Sequence, residues 1–251
     1  MSGPGWALVT GASRRLGRVL ALAAANVGYD IVVHGRSHED AGVTADLVRA
    51  LGRRAVVALA DLADPVACAD LITRSPAPPT LLVNCASLFN DDRIETLDAA
   101  GWDAAIAANL RAPVLLAQAF AGALAPDAKG LIVNIVDQRV WRLNPQFFSY
   151  TISKAALWTA TQTLAQALAP RIRVNAIGPG PTLPSIHQSP QTFAAEAAAV
   201  PLARAVDPQE IGEALKYLIG APSVTGQMIA VDSGQHLSWR TPDVTLESPH
   251  A

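Results

Sequence analysis

The stretch Thr10-Gly11-Ala12-Ser13-Arg14-Arg15-Leu16-Gly17 follows a short apolar run, Trp6–Thr10, and leads into an Ala/Leu-rich stretch. Gly11 permits a tight turn, and Gly17 lets the following helix approach a sheet closely. Free backbone N–H groups at the start of that helix can hold a pyrophosphate. A strand, this turn and a helix in sequence predict a dinucleotide-binding site, and the alternative is an ordinary strand–helix turn.

Short β-branched or apolar runs alternate with longer Ala/Leu-rich runs along the chain. We predict seven strands, at Trp6–Thr10, Ile31–His34, Ala55–Leu59, Leu81–Asn84, Leu131–Val136, Arg173–Ile177 and Met228–Asp232. We predict helices near Arg15–Gly28, Glu39–Leu51, Pro65–Arg74, Asp98–Leu124, Ser149–Leu168 and Pro208–Ile219. The strands show little apolar/polar alternation, which is typical of parallel strands covered by helices on both faces. The pattern predicts an α/β protein with a parallel sheet.

The composition limits the class of protein. The length of 251 residues fits one large α/β domain, so we treat residues 1–251 as a single domain. Hydrophobic residues make up 51% and charged residues 16%, against about 25% charged residues in a usual soluble chain. This balance excludes intrinsic disorder. The net charge of −2 offers no basic surface for nucleic acid.

Targeting and metal-binding signals are also lacking. The N-terminal residues show no basic region followed by an apolar stretch, and we expect no run of about 18 apolar residues that would span a membrane. Two cysteines, Cys68 and Cys85, fit a reducing cytosol. His34 and His38 are four residues apart but have no third ligand nearby, so we expect no metal site. We expect a cytoplasmic protein without membrane or nucleic-acid partners.

The end of the second predicted strand indicates the type of dinucleotide. A cofactor with a free ribose diol usually meets an acidic residue there. Here Arg36 can fork onto a phosphate, Ser37 can donate a hydrogen bond and His34 can assist, which favours NADPH over NADH. The alternative is that Arg36 is a solvated surface arginine. Asp61 and Leu62, after the third strand, can flank an adenine, although a helix N-cap explains Asp61 equally well.

Tyr150 and Lys154 open a predicted helix and are four residues apart, so they share one helical face. A phenol has a pKa of about 10 and exchanges protons poorly near neutrality. A neighbouring ammonium favours the phenolate, and we expect Lys154 to lower the pKa of Tyr150 and make it a general acid or base. The alternative is a chance spacing in an ordinary helix.

These motifs together resemble the short-chain dehydrogenase/reductase family. The resemblance spans nearly the whole chain and includes the glycine loop, Asn84-Cys85-Ala86-Ser87, Asn109, the Tyr150/Lys154 pair and Pro179-Gly180. It implies a Rossmann fold, a doubly wound seven-stranded sheet, in an oxidoreductase whose nicotinamide gives hydride while Tyr150 supplies a proton. Lys154 and Asn109 would orient groups and relay protons. The cofactor residues so implied are Gly11, Arg14, Arg15, Leu16, Gly17, Asn84, Ala86, Ser87, Pro179 and Gly180.

Three departures from the common family pattern resemble the pteridine reductase branch and the related dihydromonapterin/dihydrofolate reductases. Arg15 replaces the middle glycine of the loop, Ser87 replaces a glycine and is followed two residues later by Phe89, and Asp137 replaces a serine. The branch implies that Arg15 and Ser87 contact cofactor phosphate and substrate and that Phe89 stacks on a pterin. Asp137 and Tyr150 would deliver the proton. Cys85 stands where the branch has an asparagine.

The chemistry of Asp137 supports the same choice. A serine hydroxyl can donate to a ketone oxygen as negative charge builds on it, whereas an ionised carboxylate would repel that charge. A carboxyl group suits a ring C=N that needs a proton, or N–H groups that need an acceptor. The alternatives are a structural carboxylate for Asp137 and core packing for Phe89.

We therefore expect an NADPH-dependent reductase of a pterin-like heterocycle. The alternatives are the same fold acting on another carbonyl or heterocyclic substrate, or a non-catalytic NADPH-binding regulator. The proline-rich segment 178–201, with a helix at Thr192–Ala199, is either a substrate loop or a variable surface loop. The tail 240–251 is either a partner contact or mobile. The apolar helices Asp98–Leu124 and Ser149–Leu168, which pair across the interface in this family, imply a homotetramer.

Overall fold

Seven parallel strands form one sheet in the order β3-β2-β1-β4-β5-β6-β7 in the computed structural model, which describes residues 4–239. The strands are β1 (Trp6–Val9), β2 (Asp30–Gly35), β3 (Ala55–Leu59), β4 (Pro79–Asn84), β5 (Gly130–Ile135), β6 (Ile172–Pro179) and β7 (Met228–Val231). Every neighbouring pair is parallel. The predicted doubly wound Rossmann architecture is confirmed.

Eight α-helices connect and cover these strands in the described part of the chain. They are α1 (Arg15–Asn26), α2 (His38–Ala50), α3 (Pro65–Thr73), α4 (Ala99–Ile106), α5 (Ala112–Ala123), α6 (Phe148–Leu168), α7 (Pro190–Ala199) and α8 (Pro208–Gly220). A π-helical turn, Ala107–Arg111, joins α4 to α5, and 3-10 turns occupy Gln138–Val140 and Gln235–Leu237. The chemistry of the N-caps defines several helix starts, since a polar side chain accepts a first-turn N–H there. These N-caps are Ser37, Asp64, Asp98, Ser189 and Asp207.

Alternate residues of each strand face opposite sides of the sheet, and each side has its own core. Ala7 and Val9 of β1 belong to a cluster that includes buried residues of α1, α2 and α8. Leu8 belongs to a second cluster with α3, α5 and α6, in which Phe120 is fully buried. Both faces are therefore covered, and this burial accounts for the low share of charged residues.

The position of β1 determines where a ligand can bind. β1 pairs with both β2 and β4, so the chain winds outward from β1 in two directions. At such a switch point the connections after the two neighbouring strands leave on opposite faces and open a crevice at the carboxyl ends. The predicted cofactor residues lie along this edge.

Two predicted boundaries need correction. β6 extends to Pro179, because Gly178 and Pro179 pair with Ala230 and Val231 of β7. The predicted substrate loop 178–201 therefore begins only after Pro179, and its helix starts at Pro190, two residues earlier than expected. The tail 240–251 lies outside the described residues.

The helical run Ala99–Ala123 is long and apolar enough, by length and composition alone, to cross a bilayer. Abundant alanine raises the mean hydropathy of this segment, but Asp103 and Arg111 interrupt it, so it holds no 18 consecutive apolar residues. Within the fold the run packs against α3, β4 and α6. Its apolar residues thus supply the core on one face of the sheet.

Replacing Gly17 by alanine tests the tight packing of α1 on the β1–α1 turn. A Cβ at Gly17 would overlap the carbonyl of Gly11, so we expect Gly17→Ala to lower the free energy of unfolding by about 3 kcal/mol or more. Gly42→Ala in α2 is the control, since a Cβ there meets nothing within 4 Å, and it should stabilise by about 0.5–1 kcal/mol. Urea denaturation measures both, and equal effects would refute the packing argument.

Candidate active site

A cavity of about 890 Å³ runs along the carboxyl ends of the strands. β2 and β3 supply Arg36 and Asp61 on one side, and the segments after β4 and β5 supply Phe89 and Asp137 on the other. The loop after β6 contributes part of the wall, including Leu183. The cavity thus joins predicted cofactor residues to Asp137, Tyr150 and Lys154, whereas Asn84 and Asn109 are buried and do not line it.

The turn after β1 is held against the chain that follows β4. Gly11 has a φ of +65°, and a Cβ there would lie 2.9 Å from the Cα of Ala86. Thr10 Oγ1 accepts hydrogen bonds from the backbone N–H groups of Cys85 and Ala86, at 3.0 and 3.1 Å. Thr10 was not among the predicted site residues, although a hydroxyl next to the turn glycine was a readable signal.

His34 is a structural part of the site rather than a free ligand for a cofactor. Its Nδ1 accepts from the Gly11 N–H at 3.0 Å, and its Nε2 lies 3.2 Å from the Ala60 carbonyl, to which it donates. Burial lowers the pKa of His34, so the ring stays neutral with its proton on Nε2. The predicted help from His34 in phosphate binding is therefore corrected, because both ring nitrogens already bind the protein.

The start of α1 fits a pyrophosphate. Arg14 is the N-cap of α1, and its side chain does not cap the N–H groups of the first helical turn. Arg14, Arg15 and Leu16 line the cavity. Unsatisfied N–H groups at a helix start attract anions. Further along the same cavity, Arg36 is exposed, and Ser37 Oγ accepts only a 3.4 Å bond from Asp40 N–H, so its proton remains available. These residues fit a phosphorylated dinucleotide.

Arg15 connects the glycine loop to the loop after β6. Its backbone φ is +51°, and its Nη2 donates to the carbonyls of Pro184 at 2.9 Å and Leu183 at 3.4 Å. The predicted contacts of Arg15 with phosphate and substrate remain predictions. In this structure the guanidinium holds the proposed substrate loop over the cavity.

Asp137 and Tyr150 form the pair that the sequence predicts. The Tyr150 hydroxyl donates to Asp137 Oδ2 at 2.8 Å, and Asp137 Oδ1 accepts the backbone N–H of Arg139 at 2.8 Å. Burial raises the pKa of Asp137 above its ordinary value, although Arg139, Tyr150 and Lys154 oppose that rise. A carboxyl group whose proton is retained closer to neutrality suits acid catalysis.

The predicted effect of Lys154 on Tyr150 is wrong in this structure. Lys154 is buried and donates to the carbonyl of Ile135 at 2.7 Å, and its Nζ lies 5.7 Å from the Tyr150 ring centroid. Burial lowers the pKa of Lys154 to about 8. The pKa of Tyr150 is raised well above 10, by burial first and then by the negative charge of Asp137. Tyr150 is therefore a protonated phenol at neutral pH.

Asn109 secures the chain after β4. Its Oδ1 accepts from the Ser87 hydroxyl at 3.1 Å and from the Leu88 N–H at 2.8 Å. Its Nδ2 donates to the Leu88 carbonyl at 2.8 Å and to Ser153 Oγ at 3.0 Å. The carboxamide is fully buried, so its role in this structure is to orient the Ser87–Phe89 segment.

Aromatic rings form one wall of the cavity beside this pair, which we call the aromatic wall (Phe89, Phe147, Tyr150). Phe89 stacks on Phe147 with centroids 4.2 Å apart and meets the edge of Tyr150 at 4.6 Å. His187 of the loop after β6 lies over them and bonds to the Phe89 carbonyl at 3.1 Å. Phe89 faces the cavity as predicted, whereas Phe147 was missed because no motif marks it.

The remaining predicted cofactor residues serve the framework as well as the cavity edge. Asn84 Nδ2 donates to Asn134 Oδ1 at 2.8 Å, which ties β4 to β5. A Cβ at Gly180 would lie 2.6 Å from the Cα of Asp232, so this glycine permits close packing. Asp61 accepts the N–H of Ala63 at 2.9 Å and is exposed at the cavity rim. Within residues 4–239 no group of three His, Cys, Asp or Glu side chains is placed to hold a metal.

Comparison with known proteins identifies the family. The family model described as enoyl-(acyl carrier protein) reductase matches residues 11–236. The 3-oxoacyl-[acyl-carrier-protein] reductase FabG of Aggregatibacter actinomycetemcomitans is 33% identical, over 90% of this chain and 97% of that protein. The chain belongs to the short-chain dehydrogenase/reductase family. The resemblance predicted from the sequence is thereby confirmed.

Two solved structures show how far the likeness extends. FolM alternative dihydrofolate reductase 1 from Brucella canis, complexed with NADP, is 48% identical with a TM-score of 0.93, over 98% of this chain and 99% of that one. A short-chain dehydrogenase from Burkholderia cenocepacia J2315, in complex with NADP, is 30% identical with a TM-score of 0.87, over 93% and 98%. The Brucella structure matches the dihydrofolate reductase branch indicated by Arg15, Ser87 and Asp137.

The buried His34 should make stability depend on pH. His34→Leu leaves the Gly11 N–H and the Ala60 carbonyl without their partner, so we expect a loss of about 2 kcal/mol near neutral pH. The folded-state pKa of His34 is lowered, so the stabilisation by His34 is present above about pH 6.5 and is lost as the pH falls. The difference between wild type and His34→Leu should be smaller at about pH 5.5 than at about pH 7.5.

The control for this experiment is His38→Leu, which makes the same change at an exposed histidine at the start of α2. Urea denaturation of all three proteins at both pH values gives the free energies of unfolding. A difference that stays constant or grows as the pH falls would show that His34 is not held in its neutral form.

Proposed function

We propose that this protein is an NADPH-dependent reductase that adds hydride to a C=N bond of a pterin-like heterocycle. The observation that carries the proposal is the hydrogen bond of 2.8 Å from Tyr150 to Asp137, next to the Phe89 ring, which makes a T-shaped contact with Tyr150. The pair places an acidic proton beside a flat aromatic wall. A cytoplasmic location and a homotetramer are part of the proposal and rest on the resemblance to the family.

Residues along the cavity of this chain would hold NADPH. The first turn of α1 would bind the pyrophosphate through its backbone N–H groups. Arg36 and Ser37 would bind the additional phosphate of the adenosine ribose, and Asp61 and Leu62 would flank the adenine. When bound, NADPH supplies the hydride. Both structures cited above are complexes with NADP, which supports this choice of cofactor.

The two acidic groups would act in series, with a protonated Asp137 replacing the proton that Tyr150 gives to the substrate. Tyr150 stays protonated because its pKa is raised well above 10. Asp137 has a raised pKa and is the member of the pair that can gain and lose a proton nearer neutrality. Tyr150 Oη would pass its proton to the ring nitrogen of the substrate while the protonated form of Asp137 gives its own proton to Tyr150, and the Asp137 carboxylate would then take a proton from solvent. The Lys154 Nζ lies 5.7 Å from the Tyr150 ring centroid. From this position Lys154 would help to form the part of the cavity that receives the cofactor.

The same geometry disfavours ketones. In its ionised form Asp137 would repel the negative charge that builds on a carbonyl oxygen during reduction, whereas a C=N nitrogen that takes a proton from the protonated pair builds no such charge. A flat heterocycle can lie on Phe89 and offer N–H groups to the Asp137 carboxylate. The likeness to a dihydrofolate reductase at 48% identity supports this substrate class. A cofactor-binding regulator without catalysis would need no proton-sharing pair at this place.

The proposal predicts a preference among substrates. The purified protein should oxidise NADPH with dihydropterins or dihydrofolate at a kcat/KM at least about a hundredfold above that for simple ketones, because the Asp137–Tyr150 pair supplies general acid catalysis. Tyr150→Phe and Asp137→Asn should each lower kcat about a hundredfold or more while NADPH affinity stays unchanged. The loss of absorbance of NADPH measures turnover, and its fluorescence measures binding.

Equal rates with both substrate classes would refute the heterocycle assignment. Full turnover by Tyr150→Phe would show that another group donates the proton. NADPH binding in the wild type without turnover on any heterocycle or ketone would favour the regulatory alternative.

A second prediction concerns the choice of cofactor. Arg36→Ala should weaken NADPH binding about tenfold or more and leave NADH binding unchanged, since only NADPH carries the phosphate that the guanidinium would bind. Arg74→Ala, at an exposed position that ends α3 away from the cavity, is the control. Titration by fluorescence gives both dissociation constants, and an unchanged ratio in Arg36→Ala would contradict the phosphate clamp.

A further inference from the structure

Arg139 is a largely buried cation at the substrate end of the cavity, with a side chain that is 15% exposed. It lies on the 3-10 turn after β5, two residues beyond Asp137. Its Nη1 donates to Asn144 Oδ1 at 2.9 Å, which fixes the guanidinium within the turn. A buried guanidinium loses hydration and is retained where a charge or ring interacts with it.

One side of Arg139 faces the proton-sharing pair. Its backbone N–H donates to Asp137 Oδ1 at 2.8 Å, and its Nε lies 3.9 Å from the same oxygen. The other carboxylate oxygen, Oδ2, is thereby left for the Tyr150 hydroxyl. The backbone N–H of residue 139 thus leaves Oδ2 to the phenol, and the guanidinium adds a positive charge beside Oδ1.

The other side of Arg139 faces the aromatic wall. Its guanidinium carbon lies 5.1 Å from the centroid of the Phe147 ring, within the range of a cation–π contact. Phe147 in turn stacks on Phe89, and it has a φ of +53°, a conformation that few non-glycine residues adopt. The Arg139 guanidinium over the Phe147 ring therefore helps to hold Phe147 and Phe89 in the stacked arrangement in which Phe89 faces the cavity.

We propose that Arg139 is a positioning residue that couples the Asp137–Tyr150 pair to the aromatic wall, so that a flat heterocycle and its proton donor are aligned by one guanidinium. This inference rests on the proposed function for its substrate class. It requires both the charge of Arg139, which acts on Asp137, and its planar shape, which acts on Phe147.

The charged and titratable groups that face Asp137 in the described residues define the expected pH effect. They are Arg139 on its own turn, and Tyr150 and Lys154 on α6. Arg139 lowers the pKa of Asp137 against the rise caused by burial. Removing the Arg139 cation should therefore raise the pKa of Asp137, and the protonated form of Asp137 should persist to higher pH.

The experiment compares Arg139→Gln and Arg139→Lys with Arg142→Gln, a neighbouring exposed arginine on the same loop. A carbon-13 NMR titration follows the Asp137 carboxyl carbon, identified by its absence in Asp137→Asn. We expect the Asp137 midpoint in Arg139→Gln to lie about one pH unit above that in Arg142→Gln. Arg139→Lys should keep most of the wild-type midpoint because it keeps the charge.

The second readout is the affinity of the NADP⁺-loaded protein for oxidised pterin, measured by quenching of pterin fluorescence. Both Arg139 variants should bind pterin several-fold more weakly than Arg142→Gln, since neither glutamine nor lysine presents a planar guanidinium to Phe147. In the pH profile of kcat/KM, the decrease at alkaline pH should shift to higher pH only in Arg139→Gln.

The outcomes separate this inference from the proposed function. An Asp137 midpoint that is the same in Arg139→Gln and Arg142→Gln would overturn the inference, and so would wild-type pterin affinity in both Arg139 variants. If the wild type reduces no pterin but the midpoint shifts as expected, the proposed function fails and the action of Arg139 on Asp137 stands. Thermal denaturation checks that each variant is folded. If Arg139→Gln is unfolded, the pterin affinity of Arg139→Lys still tests the inference.

Discussion

The backbone of the β1–α1 turn lies in direct contact with the backbone that follows β4, and the cavity is built around this contact. Gly11 approaches Ala86 at a distance that leaves no room for a side chain, and Gly17 does the same against Gly11. Thr10 and His34 add hydrogen bonds from both sides. Because β1 lies inside the sheet between β2 and β4, this approach sets the position of α1 relative to the strands that carry site residues.

Charge is sparse in this protein but is concentrated where it acts on chemistry. Asp137, Arg139 and Lys154 are all largely buried within one region beside Tyr150. Their desolvation raises the pKa of the acid and lowers that of the lysine, to about 8 for Lys154. Elsewhere Leu, Val and Ala fill two cores. The apolar composition thus creates the dry surroundings in which a few ionisable groups depart from their usual behaviour.

The fold and the outline of the site were predictable because they depend on periodicity and on local motifs. The strand runs, the turn at Gly11 and the Tyr150/Lys154 spacing each involve residues close in sequence. The contacts of Arg139 with Phe147 and of His34 with Gly11 were not predictable, since the first depends on the path of an irregular connection and the second on how two separate turns meet. The sign of the Tyr150 pKa shift was missed for a related reason. Spacing along a helix reveals a neighbouring charge but gives no measure of burial.

The fully hydrogen-bonded carboxamide of Asn109 limits insertions and deletions in this part of the chain. Asn109 sits in the π-helical turn, and one residue added or removed between α4 and α5 would rotate it by about 100° around the helix axis. Its four bonds to the segment after β4 and to Ser153 would then be lost together. The number of residues between α4 and α5 is therefore fixed by the bonds of Asn109.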